Sequence, residues 1–298
     1  MEFFIDEYDV AVIGGGPAGL SACVFTTRAG LSTICFEKLA IGGQAALSYE
    51  IENYPAFKIV SGFDLTQKMF EQAKDSGTHF QFGTVNKIKK LKTCFSIQTT
   101  TETYQAKKII IASGTLVRKL GLNEEKFIGR GVSYCASCDG NFFKNKTVAV
   151  IGGGDSAFQA VEYLSRVAKK IILLNRSDRF KANLYRVEKA KKLKNVEIKT
   201  NVEVKELIGE DVLRAVKLNN GKTLEVEGVF VMIGHEPNLN FLDFDLKKDS
   251  HGYLVVDESM KTSEHNVYAC GDIVSKNFKQ VITACADGAI AGNSCVGE

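Results

Sequence analysis

The chain has 298 residues, 45% apolar and 24% charged, with 38 Lys and Arg set against 35 Asp and Glu for a net charge of +3. That suits two globular domains with real cores, and so balanced a charge excludes a field that would favour nucleic acid or a membrane surface. No apolar run approaches the roughly 20 residues of a spanning helix, and the acidic opening MEFFIDEYDV, which runs into a β-rich segment, is unlike a signal peptide.

From the N-terminus, the apolar run Val10–Ile13 ends in Gly14-Gly15-Gly16-Pro17-Ala18-Gly19. A helix-compatible stretch follows, then a second β-rich run, Leu31–Phe36, that ends at Glu37. Thr84–Ile111 alternates β-rich segments with polar turns. After Leu116–Arg118 comes Cys135-Ala136-Ser137-Cys138-Asp139-Gly140, and then a copy of the opening pattern. Val148–Ile151 ends in Gly152-Gly153-Gly154-Asp155-Ser156-Ala157, 138 positions after its counterpart, and Ile171–Leu174 is its second β-rich run. A β-rich insert, Val196–Val231, carries Asn219-Asn220-Gly221 as a hairpin signal. The tail from Asp245 holds a strand-like Leu254–Val256, the run Val267–Asp272 and a predicted helix over 280–294; too short for a domain, it is assigned to the first. The expected fold is α/β, with two Rossmann-like, three-layer nucleotide-binding domains. The second (117–244) is inserted into the first (1–116 and 245–298), with Leu116–Arg118 and Gly234–Asn240 as candidate hinges.

Strand, Gly turn, helix, strand is the dinucleotide-binding βαβ fingerprint, and a repeat in matching context makes it far more specific than one GxGxxG. The first Gly permits the tight turn, the second lets backbone approach a pyrophosphate, and the third position must be small for helix and strand to pack. The phosphate then meets unpaired N–H groups and the positive end of the helix dipole. Glu37 stands 18 residues after Gly19, where a carboxylate binds ribose hydroxyls. The same offset puts Asn175 in its place in the second copy, followed at once by Arg176. A site with cations and no carboxylate accepts a ribose 2′-phosphate, so Gly152, Gly154, Asp155, Ser156 and Ala157 with Arg176, Arg179 and Lys181 are expected to hold NADPH. The first copy suits a dinucleotide held permanently, the second one that comes and goes.

Of eight Cys, only Cys135 and Cys138 are closely spaced. A secreted disulfide framework would be shorter and denser, so a cytoplasmic setting is expected. Structural zinc needs four ligands and an iron–sulfur cluster more Cys than this region offers, so no metal is expected. A redox pair needs two thiols, one with a lowered pKa, and a nearby acid or base, for which Asp139 is placed. Cys23, Cys35, Cys270, Cys285 and Cys295 read as small buried apolar residues.

At this point the motifs resemble one family along essentially the whole chain, the low-molecular-weight, bacterial-type thioredoxin reductases. They are GGGPAG at 14–19, Glu37, GGQ at 42–44, EIENYP at 50–55, IIIASG at 109–114, CASCDG at 135–140, GGGDSA at 152–157, IGHEPN at 233–238, GD at 271–272 and KQV at 279–281. The resemblance implies FAD on the first domain, held by Gly14, Gly16, Pro17, Ala18, Gly19, Glu37, Gly43, Gln44, Asn53, Gly114, Gly271 and Asp272. Lys279, Gln280 and Val281 would lie near the flavin ring. It further implies that Cys138 faces the flavin, Cys135 attacks the thioredoxin disulfide, Asp139 moves a proton, and a homodimer rotates its domains between half-reactions. One departure stands out. The family's NADPH site carries His-Arg-Arg and then Arg four residues on, whereas this chain reads Asn175-Arg176-Ser177-Asp178-Arg179-Phe180-Lys181. Lys is a point charge without Arg's bidentate geometry. The expected function is NADPH-driven reduction of thioredoxin through FAD and the dithiol. NADH or ferredoxin as donor, another disulfide protein as acceptor, or a non-catalytic flavin-binding redox sensor are the alternatives.

Overall fold

The computed structural model describes residues 7–48 and 50–297, so the first six residues of the segment read for a leader lie outside it. By compactness the chain divides into two units, Met1–Leu116 with Glu236–Glu298, and Val117–His235. The first begins with β1 (Glu7–Ile13), α1 (Pro17–Arg28), β2 (Thr33–Glu37), α2 (Gly43–Ala46), α3 (Gly62–Asp75), β3 (His79–Phe82), β4 (Val85–Lys90), β5 (Phe95–Thr99) and β6 (Thr103–Ile111). Through β7 (Thr115–Val117) the chain enters the second unit: β8 (Val132–Ser133), α4 (Ala136–Asp139), β9 (Thr147–Ile151), α5 (Asp155–Leu164), β10 (Lys170–Leu174), α6 (Leu184–Lys191), β11 (Val196–Lys199), β12 (Val204–Gly209), β13 (Leu213–Leu218), β14 (Thr223–Glu225) and β15 (Gly228–Val231). β16 (His235–Pro237) leads back to β17 (Val267–Ala269) and α7 (Val281–Ser294).

In the first unit β3, β2, β1, β6 and β17 run parallel, and β4–β5 form an antiparallel ribbon on the first half of β6. Val10, Ala11 and Val12 are wholly buried, as a parallel strand covered on both faces requires. Successive side chains point to opposite faces. Ala11 and Ile13 accordingly enter a core with Ile88, Phe95 and Ile97, while Val10 and Val12 enter a second one with Leu20, Ala22 and Ala291 of α1 and α7. The second unit repeats the plan with β11, β10, β9, β15 and β8 in parallel order. Val148 and Val150 face one core, Ala149 and Ile151 the other. The fold is therefore α/β, two Rossmann-like three-layer units, the second inserted into the first. The β12–β13–β14 sheet turns at Gly221, whose φ is +80°, where the hairpin signal lay. No helix among the described residues is long and apolar enough to cross a membrane.

The tail joins the first unit because α7 lies against α1 with small residues between them. A Cβ on Gly288 would fall 2.0 Å from the Ala18 carbonyl oxygen, and one on Gly292 2.7 Å from that of Ala22. Two expectations are corrected. The second unit ends at His235 rather than at residue 244. Residues 236–244 belong with the first, since Leu239, Phe241, Leu242 and Phe244 pack on its core and Ile88 N–H donates to the Phe241 carbonyl at 2.6 Å. Leu254–Val256 is no strand; Leu254 makes only isolated bridges with Lys248 and Val274.

Candidate active site

Each Gly turn is built by close backbone approach. Gly14 has φ +114°, and a Cβ there would lie 2.4 Å from the Ala112 carbonyl oxygen. Gly19 lies tighter still, its Cβ position 1.9 Å from the Gly14 carbonyl oxygen. Gly16, by contrast, has nothing within 4 Å of its Cβ position, so the turn is open on the face a ligand would use. Pro17 opens α1, and its extended N-cap Gly16 supplies no side-chain cap, which leaves the amides of the first turn unpaired by a cap. Glu37 reaches back over the turn, its Oε2 accepting from Gly15 N–H at 2.8 Å and its Oε1 from Leu39 N–H at 2.9 Å.

Gly42, Gly43 and Gly271 gather at this turn, and the other predicted residues pair among themselves. Gly42 N–H donates to the Gly15 carbonyl at 2.8 Å, and the Gly43 Cβ position lies 3.5 Å from Gly16 Cα. Gly271, with φ +81°, sits against Ala18. Asn53 Nδ2 donates to Gln280 Oε1 at 2.9 Å, tying the 50–55 segment to the N-cap of α7. Lys279 Nζ donates to the Asp272 carbonyl at 2.9 Å and lies 3.2 Å from the Tyr253 ring centroid. Burial pushes this ammonium's pKa down.

The second turn copies the first. Gly152 has φ +143° with its Cβ position 2.1 Å from the Met232 carbonyl oxygen, and Gly154 is as open as Gly16. Asn175 occupies the place of Glu37, its Oδ1 2.4 Å from the Cβ position of Gly153. It is buried, and its Nδ2 donates to the carbonyls of Ser177 at 2.9 Å and Arg179 at 3.0 Å, folding the 176–179 loop back on itself. Arg176, Arg179 and Lys181 are exposed, and none forms an ion pair among the described residues. Asp155 accepts from Asn183 N–H at 3.0 Å and faces Arg186 Nε at 3.6 Å, both through Oδ1.

The dithiol stands at the N-terminal turn of α4, where Cys135 and Cys138 are joined as a disulfide with Cα atoms 5.3 Å apart. Cys135 is half-buried and Cys138 exposed. Ser133 at the end of β8 accepts from Cys135 N–H at 3.0 Å and donates to Asp139 Oδ2 at 2.7 Å. Tyr134 donates to Glu124 Oε1 at 3.2 Å. Glu124 is wholly buried in a 3₁₀ turn, and it also takes the amides of Leu120, Gly121 (3.3 Å) and Leu122 (2.8 Å). Burial alone would raise its pKa, but its own backbone amide, those of Leu122 and Leu120 and the Tyr134 hydroxyl outweigh it and hold the carboxyl below the usual range. Burial and the Glu124 charge push the Tyr134 phenol well up.

The sequence signature of the pyridine nucleotide-disulphide oxidoreductases matches residues 8–288. Thioredoxin reductase from Listeria innocua is 40% identical over 295 residues, 96% of this chain and 92% of that protein. The chain belongs to this oxidoreductase family, in its thioredoxin reductase branch. The crystal structure of Lactococcus lactis thioredoxin reductase in its FR conformation is 34% identical and superposes with a TM-score of 0.92, covering 97% of each chain. A ferredoxin-flavin thioredoxin reductase from Clostridium acetobutylicum is 31% identical over 98% of this chain and 97% of its own, with a TM-score of 0.55.

Of the residues this family membership makes important, the first unit gathers Gly14, Gly16, Pro17, Ala18, Gly19, Glu37, Gly43 and Gly271 at one turn, and Asn53 with Gln280 beside α7. Gln44 is exposed on α2, Val281 is the first residue of α7, and Gly114 takes φ +60° after β6. In the second unit Ser156 and Ala157 lie in the first turn of α5. Sequence reasoning missed four residues. Ser113, whose Cα lies 3.1 Å from the Gly14 Cβ position, buries a hydroxyl that has no partner among the described residues. Ser133, Tyr134 and Glu124 hold the dithiol loop without any motif of their own. Among the free cysteines, Cys23, Cys35, Cys270 and Cys295 are buried, and Cys285 is only half-buried, beside Tyr54. A hydrogen bond with Cys23 and burial push the Cys35 thiol up, and burial does the same to Cys270, so neither is poised as a thiolate.

Proposed function

We propose that this chain is an NADPH-dependent thioredoxin-disulfide reductase, a homodimer working in the cytoplasm. The observation that carries the reading is the Cys135–Cys138 disulfide at an exposed helix start, with the Asp139 carboxylate fixed by Ser133 one turn on. The first Gly turn fits FAD: it is open over Gly16, bounded by Glu37, and bordered by the Ser113 hydroxyl, a hydrogen-bond group with no partner among the described residues. FAD bound there would take two electrons from a reduced nicotinamide and pass them to a disulfide. The protein's own steps are then thiol chemistry. Two electrons and two protons convert Cys135–Cys138 to the dithiol. Cys135 as thiolate attacks one sulfur of oxidised thioredoxin and expels the other as a thiolate; Cys138 then attacks Cys135 Sγ of the mixed disulfide, which re-forms the Cys135–Cys138 bond and releases thioredoxin as the dithiol. Asp139 serves to move one of the protons. Phe142, 74% exposed four residues after Cys138, offers apolar surface for a protein acceptor, and Phe25, Ile282 and Ile290 on α1 and α7 do so for a second copy.

For the donor, Gly152, Gly154, Ser156 and Ala157 would carry the pyrophosphate, with Arg176, Arg179 and Lys181 around the 2′-phosphate. Asp155, its Oδ1 engaged with Asn183 and Arg186, would shape the turn at the start of the helix. A protein donor is the second reading, supported by Asn175 and Ser177 in place of His and Arg and by the ferredoxin-linked relative. The test is to mix the FAD-loaded, oxidised protein anaerobically with NADPH, and separately with NADH, following flavin absorbance near 450 nm, then to add oxidised thioredoxin. Bleaching by NADPH alone, with thioredoxin restoring the colour, is expected. Equal bleaching by both would mean lost discrimination. No bleaching by either, with dithionite still effective, would overturn the nucleotide route in favour of a protein donor.

A further inference from the structure

The Ser133 hydroxyl lies at the centre of the dithiol loop and has no part in the steps above. Its backbone is fixed by β8, which pairs with β15 through Val132–Val229 and Ser133–Phe230, and the residue is only 4% exposed. Three polar groups surround Oγ: Asp139 Oδ2 at 2.7 Å, Cys135 N at 3.0 Å and the Cys135 carbonyl oxygen at 3.1 Å. A hydroxyl has one proton to give and two lone pairs to receive with. The Cys135 amide can only donate, so it takes one lone pair. The single proton then has two acceptors in reach, and which it serves depends on Asp139.

When Asp139 is a carboxylate, the hydroxyl points to it, because a charge-assisted bond is about twice as strong as a neutral one. When Asp139 carries a proton, that proton is donated to Oγ, and the hydroxyl turns its own hydrogen to the Cys135 carbonyl. Every polar group at the site keeps a partner in both states, and Ser133 neither gains nor loses a proton over the cycle. Without such an exchange, a proton on Oδ2 would face the Ser133 hydrogen and leave the buried hydroxyl without that partner, which is costly.

We propose that Ser133 is a positioning residue that keeps Asp139 hydrogen-bonded in both of its protonation states, so that proton movement at the dithiol requires only a rotation of one hydroxyl. The proposal rests on the reading that Asp139 moves a proton during disulfide reduction. It predicts coupling between the two side chains in the rate of acceptor reduction, which a Ser133 that only shapes the loop through the Cys135 amide and carbonyl would not show.

The test is a double-mutant cycle on the FAD-loaded full chain, pre-reduced with dithionite so that no donor is involved. Wild type, Ser133→Ala, Asp139→Asn and the double variant are each mixed with oxidised thioredoxin and, separately, with an aromatic low-molecular-weight disulfide. The loss of one hydrogen bond to a charged group should slow acceptor reduction about tenfold in Ser133→Ala. In the Asp139→Asn background the same change should cost less than about twofold, the non-additivity that coupling requires. Ser133→Thr, which keeps the hydroxyl, should restore most of the rate, and an unchanged flavin spectrum would show that the variants are folded. Equal cost in both backgrounds, or no cost in either, would overturn the proposal. If wild type reduces the small disulfide but not thioredoxin, the assigned acceptor fails while the cycle on the small disulfide still decides the role of Ser133.

Discussion

Glu124→Gln should weaken the dithiol loop by an amount that can be worked from its contacts. The carboxylate takes Leu120 N–H, Gly121 N–H and the Tyr134 hydroxyl on Oε1, and Leu122 N–H on Oε2. Glutamine can keep its oxygen in the Oε1 place, but its amide nitrogen then meets the Leu122 N–H donor to donor, leaving that buried amide unpaired. One orphaned donor costs about 1–3 kcal/mol, and three bonds fall from charge-assisted to neutral strength, so the total is about 3 kcal/mol. That raises local opening roughly 100-fold. Hydrogen exchange at neutral pH, read on peptides covering residues 120–134, should show it while the β12–β14 sheet stays protected. The pH dependence follows from the sign of the shift. The folded carboxyl titrates below its unfolded counterpart, so its stabilisation is complete above the unfolded value, about 4.3, and fades as pH falls through the folded one. Urea midpoints by circular dichroism should therefore separate wild type from variant near neutrality and converge in acid. Unchanged exchange, or a gap that widens in acid, would refute the reasoning.

The two Gly turns should fail in different ways. Gly19→Ala puts a Cβ 1.9 Å from the Gly14 carbonyl oxygen and should yield protein nearly free of flavin, measured by the ratio of visible to ultraviolet absorbance. Gly152→Ala, at φ +143° and 2.1 Å from the Met232 carbonyl oxygen, should keep its flavin yet lose NADPH bleaching by about tenfold or more, since backbone strain of this kind costs on the order of 1–3 kcal/mol. Normal bleaching in that variant would remove the second turn from the donor route. Cys135→Ser should leave flavin reduction by NADPH within about twofold and abolish thioredoxin reduction; loss of both would deny the separation of the two half-reactions.

What the sequence made legible was whatever repeats or carries a fixed spacing. The 138-residue repeat located both Gly turns and the residue opposite Glu37, because a βαβ unit forces the same chain length between turn and second strand. CxxC was legible because two thiols three apart reach each other across one helical turn. Ser133 and Glu124 were not, since a hydroxyl or carboxylate acquires its role from where β8 and a 3₁₀ turn bring it, and no spacing announces that. The end of the second unit was missed for a related reason. Phe241, Leu242 and Phe244 form an apolar run that either unit could bury, and only pairing with Ile88 decides the matter.

The contrast between the turns bears on which ligand stays and which leaves. Around the first, Glu37 comes from β2, Gly42–Gly43 from the loop beyond it, Ser113 from the end of β6, and Gly271 from the tail, so a ligand over Gly16 would be enclosed from several parts of one unit. Around the second, the counterpart of Glu37 is an Asn turned inward on its own loop, and the cations beside it are exposed. A ligand held from several parts of a fold must break contacts with all of them to leave, so dissociation is slow; one held by a turn and exposed cations can exchange within a catalytic cycle. The Asn175 loop adds a specific consequence. Because the Asn175 amide spends its hydrogens on the carbonyls of Ser177 and Arg179, it fixes the backbone from which Arg176 and Arg179 project, so in the proposed NADPH site that backbone would set where their charges fall. Restoring Arg at Ser177 without changing Asn175 should therefore tighten NADPH binding less than restoring both.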